Sequence, residues 1–365
     1  MESTEPKESK ENKILCFLCF FCFLCFIFYL KSKEKKNKID KKKGEKKDKE
    51  RKSLEEQLKD KTNNLDNINN FNISLKNPIH TLNYHKYPIF CLSILNDGRL
   101  ISGLADKSII IYNKTTYQPD LIINEHKDRI NCIIQLSSGI LATCSDDKTI
   151  KLFNIKGNNY NIIQTLNDHT DWVNQIIESE NKYLVSCSFD KSIIFYFKDN
   201  LKYKKYYQIS TNGPCYCISQ IKENEICYSE SNYKICFYDM NKRKIKSSIS
   251  NICKSWNSPF IMISKDLLFL PGKNKISIIN INYYEFIREI VVPNSHFING
   301  VCMLNKNILF TGDDNGILRE FKIEKDNLIL ISKKNIAHNR CINTLLNIGN
   351  GHIASGSDDK SIKIW

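Results

Sequence analysis

The chain has 365 residues, of which 41% are hydrophobic, and it carries a formal net charge of +14 at pH 7. This length exceeds one average domain. The positive charge does not indicate a nucleic-acid-binding protein, because we find no zinc-finger spacing, no basic stripe with interleaved aromatic residues and no basic recognition helix. We therefore expect no nucleic acid among the partners of this chain.

The first predicted element is an uncharged run rich in Phe, Leu and Cys at residues 14–30, which follows a short N-terminal tail at residues 1–13. Its length is at the short end of the range for a helix that crosses a membrane. The run ends without a small-residue cleavage site, which favours a retained transmembrane helix over a cleaved signal peptide. A cleaved signal peptide and a low-complexity run without a membrane role are the alternatives. Cys25, near the end of the run, is a candidate for acylation.

A Lys/Asn-rich juxtamembrane linker is predicted at residues 31–70. Residues 31–62 hold fifteen Lys or Arg against eight Asp or Glu, a net charge of +7, whereas residues 1–30 hold three against four, a net charge of −1. The positive-inside rule therefore places the C-terminal part of the chain in the cytosol. Residues 31–52 either bind anionic lipid or act as a solvated spacer. Residues 53–70 are typical of a short helix that runs into a flexible segment.

Eleven of the fifteen cysteines follow residue 70. An odd number precludes complete pairing, and the spacing indicates small core residues rather than a disulfide framework. This usage is typical of a reducing compartment. We therefore expect a single-pass membrane protein whose large C-terminal domain faces the cytosol, and the sequence does not indicate which membrane.

From residue 71 to residue 365 one pattern recurs, and its copies close near residues 112, 153, 196, 238, 280, 321 and 365. A fixed period near forty residues predicts a repeat architecture. Four copies share a His, an Asp twenty-one residues later, an aromatic residue six after the Asp, and a Ser or Thr four before the Asp. The four sets are His85, Ser102, Asp106 and Tyr112; His126, Thr143, Asp147 and Phe153; His169, Ser186, Asp190 and Tyr196; and His338, Ser355, Asp359 and Trp365.

The other three copies keep less of the pattern. One has His296, Thr311, Asn315 and Phe321; another has only Asn232 and Tyr238; the third has Asn274, with Asn280 in place of the aromatic residue. The latter two copies, about residues 200–290, reflect either relaxed selection or a surface specialised for a partner.

Within each copy, apolar and β-branched runs of four to six residues alternate with polar breaks, as at residues 130–134, 140–144 and 149–153, and these runs predict strands. The pattern resembles the WD-repeat (WD40) family, in which each unit forms one four-stranded blade of a β-propeller. The resemblance covers residues 71–365 and implies an all-β, seven-bladed β-propeller of four-stranded blades. Two family features differ here. The usual Gly before the His is absent, and the usual Asp after the aromatic residue occurs once, as Asp239.

The resemblance also implies a structural role for the four shared residues. In the family, the His, the Ser or Thr, the Asp and the aromatic residue form a hydrogen-bonded chain inside each blade. A buried Asp needs such donors, because an unpaired buried polar group costs about 1–3 kcal/mol. We therefore interpret these His and Asp residues as structural and not as catalytic pairs.

The last unit ends after its third strand and needs an outer strand from another part of the chain. Residues 71–82 stand where the other units have an outer strand, as at residues 161–166. We therefore predict that residues 71–82 pair with residues 361–365 and close the ring, because the last blade would otherwise present a bare sheet edge.

No nucleophile elbow, phosphate-binding Gly loop or two-His metal spacing is present in the sequence. We expect no enzymatic activity, cofactor or metal site. The resemblance instead implies that proteins bind on one face of the propeller, at positions three and five residues after the His and one residue before the Asp. These positions hold Phe90, Arg129, Asn131, Asp146, Trp172, Asn174, Phe189, Asn299, Asp314, Asn343 and Asp358.

Trp172 and Phe189 next to Arg129 have the composition of an interaction hot spot. The alternative is that both aromatic residues only cover the top of the core. The expected function is a membrane-anchored scaffold or adaptor that binds protein or peptide partners. The other functions considered are a membrane-tethered trafficking regulator of the GTPase-exchange type, a substrate receptor of a ubiquitin ligase, and an enzyme that uses the central channel.

Overall fold

The computed structural model describes residues 77–200, 202–231, 233–252 and 260–365. The transmembrane helix predicted at residues 14–30 and the linker predicted at residues 31–70 lie outside these ranges. Within the described residues, no helix is both long enough and apolar enough to span a membrane.

The described residues form seven antiparallel sheets of four strands each, which we number as blades 1–7 in chain order. Blade 1 contains β2 (Ile89–Ile94), β3 (Leu100–Leu104), β4 (Ile109–Tyr112) and β5 (Pro119–Ile123). Blade 2 contains β6 (Ile130–Gln135), β7 (Leu141–Ser145), β8 (Ile150–Lys156) and β9 (Asn159–Leu166). Blade 3 contains β10 (Val173–Glu178), β11 (Leu184–Ser188), β12 (Ser192–Asp199) and β13 (Lys202–Ser210).

Blades 4–7 follow the same order from the inner to the outer strand. Blade 4 contains β14 (Cys215–Lys222), β15 (Glu225–Glu230), β16 (Lys234–Asp239) and β17 (Lys244–Ile249). Blade 5 contains β18 (Ile261–Met262), β19 (Leu267–Pro271), β20 (Lys275–Asn280) and β21 (Glu285–Val291). Blade 6 contains β22 (Ile298–Asn305), β23 (Ile308–Asp313), β24 (Leu318–Glu324) and β25 (Asn327–Lys334). Blade 7 contains β26 (Ile342–Gly349), β27 (His352–Ser357), β28 (Ile362–Ile364) and, as its outer strand, β1 (His80–Leu82). The predicted seven blades of four strands are confirmed.

The outer strand of blade 7 comes from the beginning of the described chain. β1 pairs antiparallel with β28, with Leu82 opposite Ile362, and the N–H of Ile79 donates to the carbonyl of Ile364 over 2.7 Å. The strand predicted to close the ring therefore does so at residues 80–82. Each sequence repeat consequently begins with the outer strand of the preceding blade and ends with the third strand of its own blade.

A β-bulge recurs in the outer pairing of blades 1–6, where the third strand reaches the closing aromatic position. A bulge adds one residue to one strand and increases the local twist. In blade 5 the bulge comes one residue early, between Ile278 and Ile279. This register places the fully buried Ile279, and not the partly exposed Asn280, at the position of the closing aromatic residue.

Neighbouring blades pack face to face around one recurring position on the second strand. Blades 1, 6 and 7 hold Gly there, and a Cβ on these residues would clash with an Ile side chain of the next blade, within 2.7 Å in each case. The pairs are Gly103 with Ile130, Gly312 with Ile342, and Gly356 with Ile89. Blades 2 and 3 hold a larger residue there and pack against a smaller one in the next blade, in the pairs Cys144 with Val173 and Cys187 with Cys215. Side-chain volume is thus similar across these five junctions, as close packing requires.

Candidate functional site

One end of the ring carries all the positions that the sequence predicts for partner binding. Because consecutive strands run antiparallel, the turn between the second and third strands lies at the same end as the connection that enters the first strand. We call this end the top face. The predicted residues lie in these connections and turns or in the first two positions of the inner strands.

Below this face, blade 7 contains the complete hydrogen-bonded chain that the resemblance implies. The indole N–H of Trp365 donates to Ser355 Oγ over 2.8 Å, and Ser355 lies 2.7 Å from His338 Nε2. His338 Nδ1 donates to Asp359 Oδ2 over 2.9 Å. Ser361 Oγ and the N–H of Asn339 also donate to the Asp359 carboxylate, so this partly buried acid is well supplied with donors.

Blades 2 and 3 repeat this arrangement without a hydrogen bond from the aromatic residue. His126 Nδ1 lies 2.8 Å from Asp147 Oδ2, and its Nε2 lies 2.7 Å from Thr143 Oγ1. His169 makes the same contacts, at 2.8 Å with Asp190 and at 2.7 Å with Ser186. Phe153 and Tyr196 fill the aromatic position as buried core residues.

Blade 1 differs from the predicted arrangement, because its His points away from its Asp. His85 Nδ1 donates to the carbonyl of Lys360 in blade 7 over 3.2 Å, and Nε2 contacts the hydroxyl of Tyr112. Tyr112 is in turn 2.7 Å from Ser102 Oγ. Asp106 instead accepts from Ser108 Oγ over 2.6 Å. In this blade the His therefore joins two blades, and the carboxylate caps its own turn.

Blade 6 replaces the predicted set of His296, Thr311, Asn315 and Phe321 with a different buried pair. His296 is exposed and contacts Asp314, so it does not reach the interior of the blade. Inside the blade, Arg319 Nη1 pairs with Asp313 Oδ2 over 2.6 Å, and both side chains are buried. Arg319 Nη2 also donates to the carbonyl of Asn294 over 2.8 Å.

Blade 4 also places a buried acid, Glu230, at the position that Asp313 holds in blade 6 and that Ser holds in blades 2, 3 and 7. Glu230 accepts from the N–H of Asn212 over 3.3 Å. Its predicted partner position Asn232 lies outside the described residues, and Tyr238 is a buried core residue. In blade 5, Asn274 contributes only backbone hydrogen bonds, to His296 and Val292.

The hydrogen-bonded Asp residues have lowered pKa values. Burial alone would raise the pKa of the Asp190 carboxyl, but hydrogen bonds from His169 and Ser192 outweigh it and lower the pKa to about 2. The pKa values of Asp147 and Asp359 are likewise below their usual range. Burial lowers the pKa of His338, and the hydrogen bond to Asp359 only partly opposes this effect. Burial also lowers the pKa of His85.

These shifts predict a stability that decreases as the pH falls. The unfolded chain protonates its His residues near pH 6.5, before the buried His338 and His85, so the loss of stability begins there. The carboxylates contribute their full stability above about pH 4 and lose it as the pH falls through their folded pKa values. We expect the urea midpoint to fall from about pH 6.5 and more steeply below about pH 4. Asp359→Asn should lower the urea midpoint at neutral pH and make the midpoint less dependent on pH below about pH 4. A midpoint that stays constant from neutral pH down to pH 4 would contradict the burial effect on His338 and His85.

At the top face a cavity of about 480 Å³ opens at the centre of the ring, where the inner strands of all seven blades meet. It is lined by seven of the predicted residues, namely Phe90, Arg129, Asn131, Asn174, Asn299, Asp314 and Asn343. The structure therefore brings together side chains that are up to 253 residues apart in the sequence, between Phe90 and Asn343. Asp146 and Asp358 lie beside this group and bond to it, as described next.

Arg129 is the side chain that joins the predicted residues of three blades. Its guanidinium carbon is 4.6 Å from the ring centroid of Phe90 in blade 1 and 5.9 Å from that of Trp172 in blade 3. Its Nε is 3.0 Å from Asp146 Oδ2 and donates to Asn131 Oδ1 over 3.0 Å. Cation–π contacts and a carboxylate together hold the guanidinium in one position. Burial raises the pKa of Asp146, although Asn131 and Arg129 oppose this effect.

An aromatic row continues from Arg129 across blades 3 and 4. The ring centroids of Trp172 and Phe189 are 5.1 Å apart, and those of Phe189 and Tyr216 are also 5.1 Å apart, in an edge-to-face arrangement. Trp172 is 41% exposed, whereas Tyr216 is buried. Trp172 therefore presents part of its ring to solvent at the top face. The row offers a rigid aromatic surface beside a fixed cation.

The predicted Asn residues have a second role, because each links its blade to the next one. The amide Nδ2 of Asn131 donates to the carbonyl of Val173 over 3.0 Å, that of Asn174 to Cys215 over 2.5 Å, and that of Asn343 to Ile89 over 2.9 Å. Asn299 donates to Cys341 Sγ over 3.0 Å. Asn343 also donates to Asp358 Oδ1 over 2.6 Å, which fixes that carboxylate at the rim. These residues therefore stabilise the ring as well as shape the cavity.

Two aromatic residues that line the cavity, Tyr216 and Phe297, were not predicted from the sequence. Tyr216 occupies in blade 4 the inner-strand position that Asn131 occupies in blade 2, and Phe297 precedes β22 in blade 6. Blade 4 has no repeat His from which to count, so the position of Tyr216 could be found only by counting back from the second strand. Phe297 directly follows His296, where the shortened spacing of blade 6 shifts the count.

A second surface of interest lies on the outer strands of blades 3–5. Exposed apolar or aromatic side chains on or beside these strands are Tyr206, Ile245, Tyr283, Phe286, Ile287 and Val291. β13 also carries Lys202, Lys204 and Lys205, which are exposed, whereas its Tyr203 is buried. Arg243 Nη2 donates to the hydroxyl of Tyr206 over 2.8 Å, and Tyr206 stacks on Tyr183. These contacts occupy the ring of Tyr206 within the protein. The specialised surface predicted for residues 200–290 stays a prediction.

Within the described residues, no three His, Cys, Asp or Glu side chains are placed to hold a metal ion. Seven four-stranded blades around a central cavity, with a His, Ser or Thr and Asp chain inside several of them, define a repeat-type β-propeller. The family model described as WD domain, G-beta repeat (WD40) matches residues 76–113, 118–154, 160–196 and 332–365. The chain therefore contains WD40 repeats, and the four matched segments are those with the complete residue pattern. A comparison with curated protein sequences gives no match.

Proposed function

We propose that this WD40 propeller is a scaffold that binds protein or peptide partners on its top face, around Arg129 and Trp172. WD40 propellers are typically non-enzymatic platforms for protein interactions. The observation that carries the proposal is the position of Arg129, held between Phe90 and Trp172 and against Asp146 at the mouth of the central cavity. Aromatic residues and Arg dominate the energetics of protein interfaces, and rigid side chains lose little entropy on binding.

We further propose that residues 14–30 anchor the chain in a membrane and that the propeller faces the cytosol. The uncharged run and the Lys-rich segment after it support this part of the proposal. In that topology the Lys-rich residues 31–52 would lie against anionic lipid and hold the propeller near the membrane surface. A scaffold in this position would bring its partners to the membrane.

The proposal predicts that Trp172→Ala and Arg129→Ala each weaken partner binding. Loss of a hot-spot side chain costs about 2 kcal/mol or more, which raises the Kd about thirtyfold. The measurement is proximity labelling from the C-terminus of the full-length protein, with quantification of each labelled neighbour in the wild type and in both variants. We expect cytosolic neighbours, a subset of which is lost in both variants while the melting temperature stays unchanged.

Tyr283→Ala is the matched control, because Tyr283 is an aromatic residue with 72% exposure in the turn between β20 and β21, away from the top face. It should leave all neighbours labelled. If Trp172→Ala and Arg129→Ala lose no more neighbours than this control, the top face is not the binding surface. Neighbours from a lumenal or extracellular compartment would reverse the orientation, and Asn113 in the sequence Asn-Lys-Thr would then be available for glycosylation.

A further inference from the structure

Cys132 and Cys144 are direct cross-strand partners in blade 2. They lie opposite each other on β6 and β7, and both side chains pack in the apolar cluster between blades 2 and 3. Directly opposed residues of an antiparallel pair have Cβ atoms about 4.5–5.5 Å apart. A disulfide needs a Cβ separation of about 3.5–4.5 Å. The two cysteines can therefore be joined if the strands approach by about 1 Å.

This pairing occurs in none of the other blades whose equivalent positions the structure describes. The register places a different partner opposite the same position in each of them. The corresponding pairs are Cys91 with Gly103, Gln175 with Cys187, Gly300 with Gly312, and Thr344 with Gly356. Blade 2 is thus distinguished by a cysteine at both of these opposed positions. The adjacent Val173, smaller than the Ile of other junctions, leaves the space that Cys144 fills.

The two thiols differ in access and in chemistry. Cys132 lines the central cavity and is partly exposed, whereas Cys144 is fully buried. Cys132 Sγ also lies 3.7 Å from the carbonyl of Ile176. The neighbouring thiol of Cys144 lowers the pKa of Cys132, and burial raises the pKa of Cys144. Because the thiolate is the reactive form, Cys132 is the thiol that would react first with a small oxidant in the cavity.

We propose that Cys132 and Cys144 form a peroxide-reactive dithiol whose oxidised form is a cross-strand disulfide in the wall of the central cavity. The Cys132 thiolate attacks one oxygen of hydrogen peroxide, the O–O bond breaks, and hydroxide leaves, so the sulfur becomes a sulfenic acid. The Cys144 sulfur, after loss of its proton, then attacks the Cys132 sulfur and displaces the hydroxyl group, which leaves with a proton as water. The peroxide is reduced by two electrons, and the two thiols together are oxidised by two.

The oxidised form is expected to be readily reversible. Closing the bond requires the strands to move together, and a disulfide that departs from relaxed geometry is more easily reduced. A small thiol reductant that enters the same cavity can therefore restore the dithiol. The site does not depend on the proposed scaffold function, and Trp172→Ala should leave the oxidation unchanged.

The test treats the purified full-length protein with hydrogen peroxide, blocks the remaining thiols by alkylation, and analyses tryptic peptides by mass spectrometry. Residues 130–148 form one tryptic peptide that contains both cysteines, since Arg129 precedes it and Lys148 ends it. We expect this peptide to lose two hydrogens and to escape alkylation at low peroxide, and to recover both thiols after reduction. In Cys144→Ala the sulfenic acid at Cys132 should persist and react with dimedone, whereas in Cys132→Ala the thiol of Cys144 should stay reduced.

Cys341 is the matched control within the same molecule. It is also partly exposed, but burial raises its pKa to about 12, and its neighbour Asn343 carries an amide instead of a thiol. We expect Cys132 to react at least about tenfold faster than Cys341. Equal rates for the two, or a peptide 130–148 that keeps both hydrogens while other cysteines are oxidised, would overturn the proposal. A disulfide from Cys132 to Cys91 would overturn it as well.

Discussion

Arg319→Met is expected to destabilise the propeller by about 3–5 kcal/mol, because it removes one partner of a buried ion pair. Arg319 and Asp313 are both fully buried, and their side chains are joined over 2.6 Å. Met approximates the volume of the Arg side chain, so the change leaves a carboxylate without its cation rather than a large cavity. Two backbone donors remain on Asp313, the N–H groups of Asn315 at 3.1 Å and Ile317 at 2.9 Å. These bonds favour the lower end of the range.

The measurement is the denaturant midpoint and slope of unfolding for the single variant and for Arg319→Met with Asp313→Ser. Ser is the residue that blades 2, 3 and 7 place at this position, as Ser145, Ser188 and Ser357. The double variant should recover at least half of the lost stability, since it removes the uncompensated charge. If the single and double variants are equally destabilised, the pair contributes through packing alone and the electrostatic account is wrong.

The sequence predicted the fold well because the fold follows from local signals that repeat. Strand-forming runs recur with a period near forty residues, and a blade of this size is stable only when it packs on neighbours. The position of β1 could be inferred from the last unit, which ends at Trp365 and needs an outer strand. The His, Ser or Thr and Asp contacts of blades 2, 3 and 7 follow from the same spacing.

The sequence did not predict two kinds of contact. One kind depends on a neighbouring blade, and the other is the buried ion pair that replaces the His and Asp chain in blade 6. His85 donates to the carbonyl of Lys360, a residue 275 positions away that becomes a neighbour only after ring closure. In blade 6 the spacing after His296 is two residues short, so the His stays near the surface. The buried Arg319 then fills the interior. β24 also holds the charged residues Glu320, Lys322 and Glu324, so the burial of Arg319 and its pairing with Asp313 could be identified only from the structure.

The sequence also predicted the candidate site only in part. The spacing from the repeat His predicted seven of the residues that line the cavity, including Arg129. The sequence could not specify that Arg129 contacts residues of three blades. It missed Tyr216 because blade 4 lacks the His. It also treated the Asn residues as free to bind partners, whereas Asn131 and Asn174 each donate their amide to the next blade. The N–H groups used in these bonds are not available to a partner. This makes Arg129 and Trp172 the stronger candidates for partner contact.

Deletion of residues 71–82 is expected to destabilise the whole propeller by about 5 kcal/mol or more. The deletion removes Leu82, which is buried in the cluster shared by blades 7 and 1, and a buried Leu alone contributes about 2–5 kcal/mol. It also removes the strand pairing of β1 with β28 and the bond from Ile79 to Ile364, each hydrogen bond contributing about 1 kcal/mol. The effect should extend beyond blade 7, because β1 comes from the start of the ring and β28 from its end.

Thermal unfolding of the deletion variant should therefore show a melting temperature lower by about 10–20 °C. Two point variants distinguish the effect of ring closure from the effect of removing the segment that precedes the propeller. Leu82→Ala should reproduce a large part of the decrease, whereas Ile79→Ala, on the same segment but 55% exposed, should change little. A deletion variant that melts like the wild type would show that the seven blades hold together through their faces alone. In that case the pairing of β1 with β28 would cover a sheet edge without stabilising the ring.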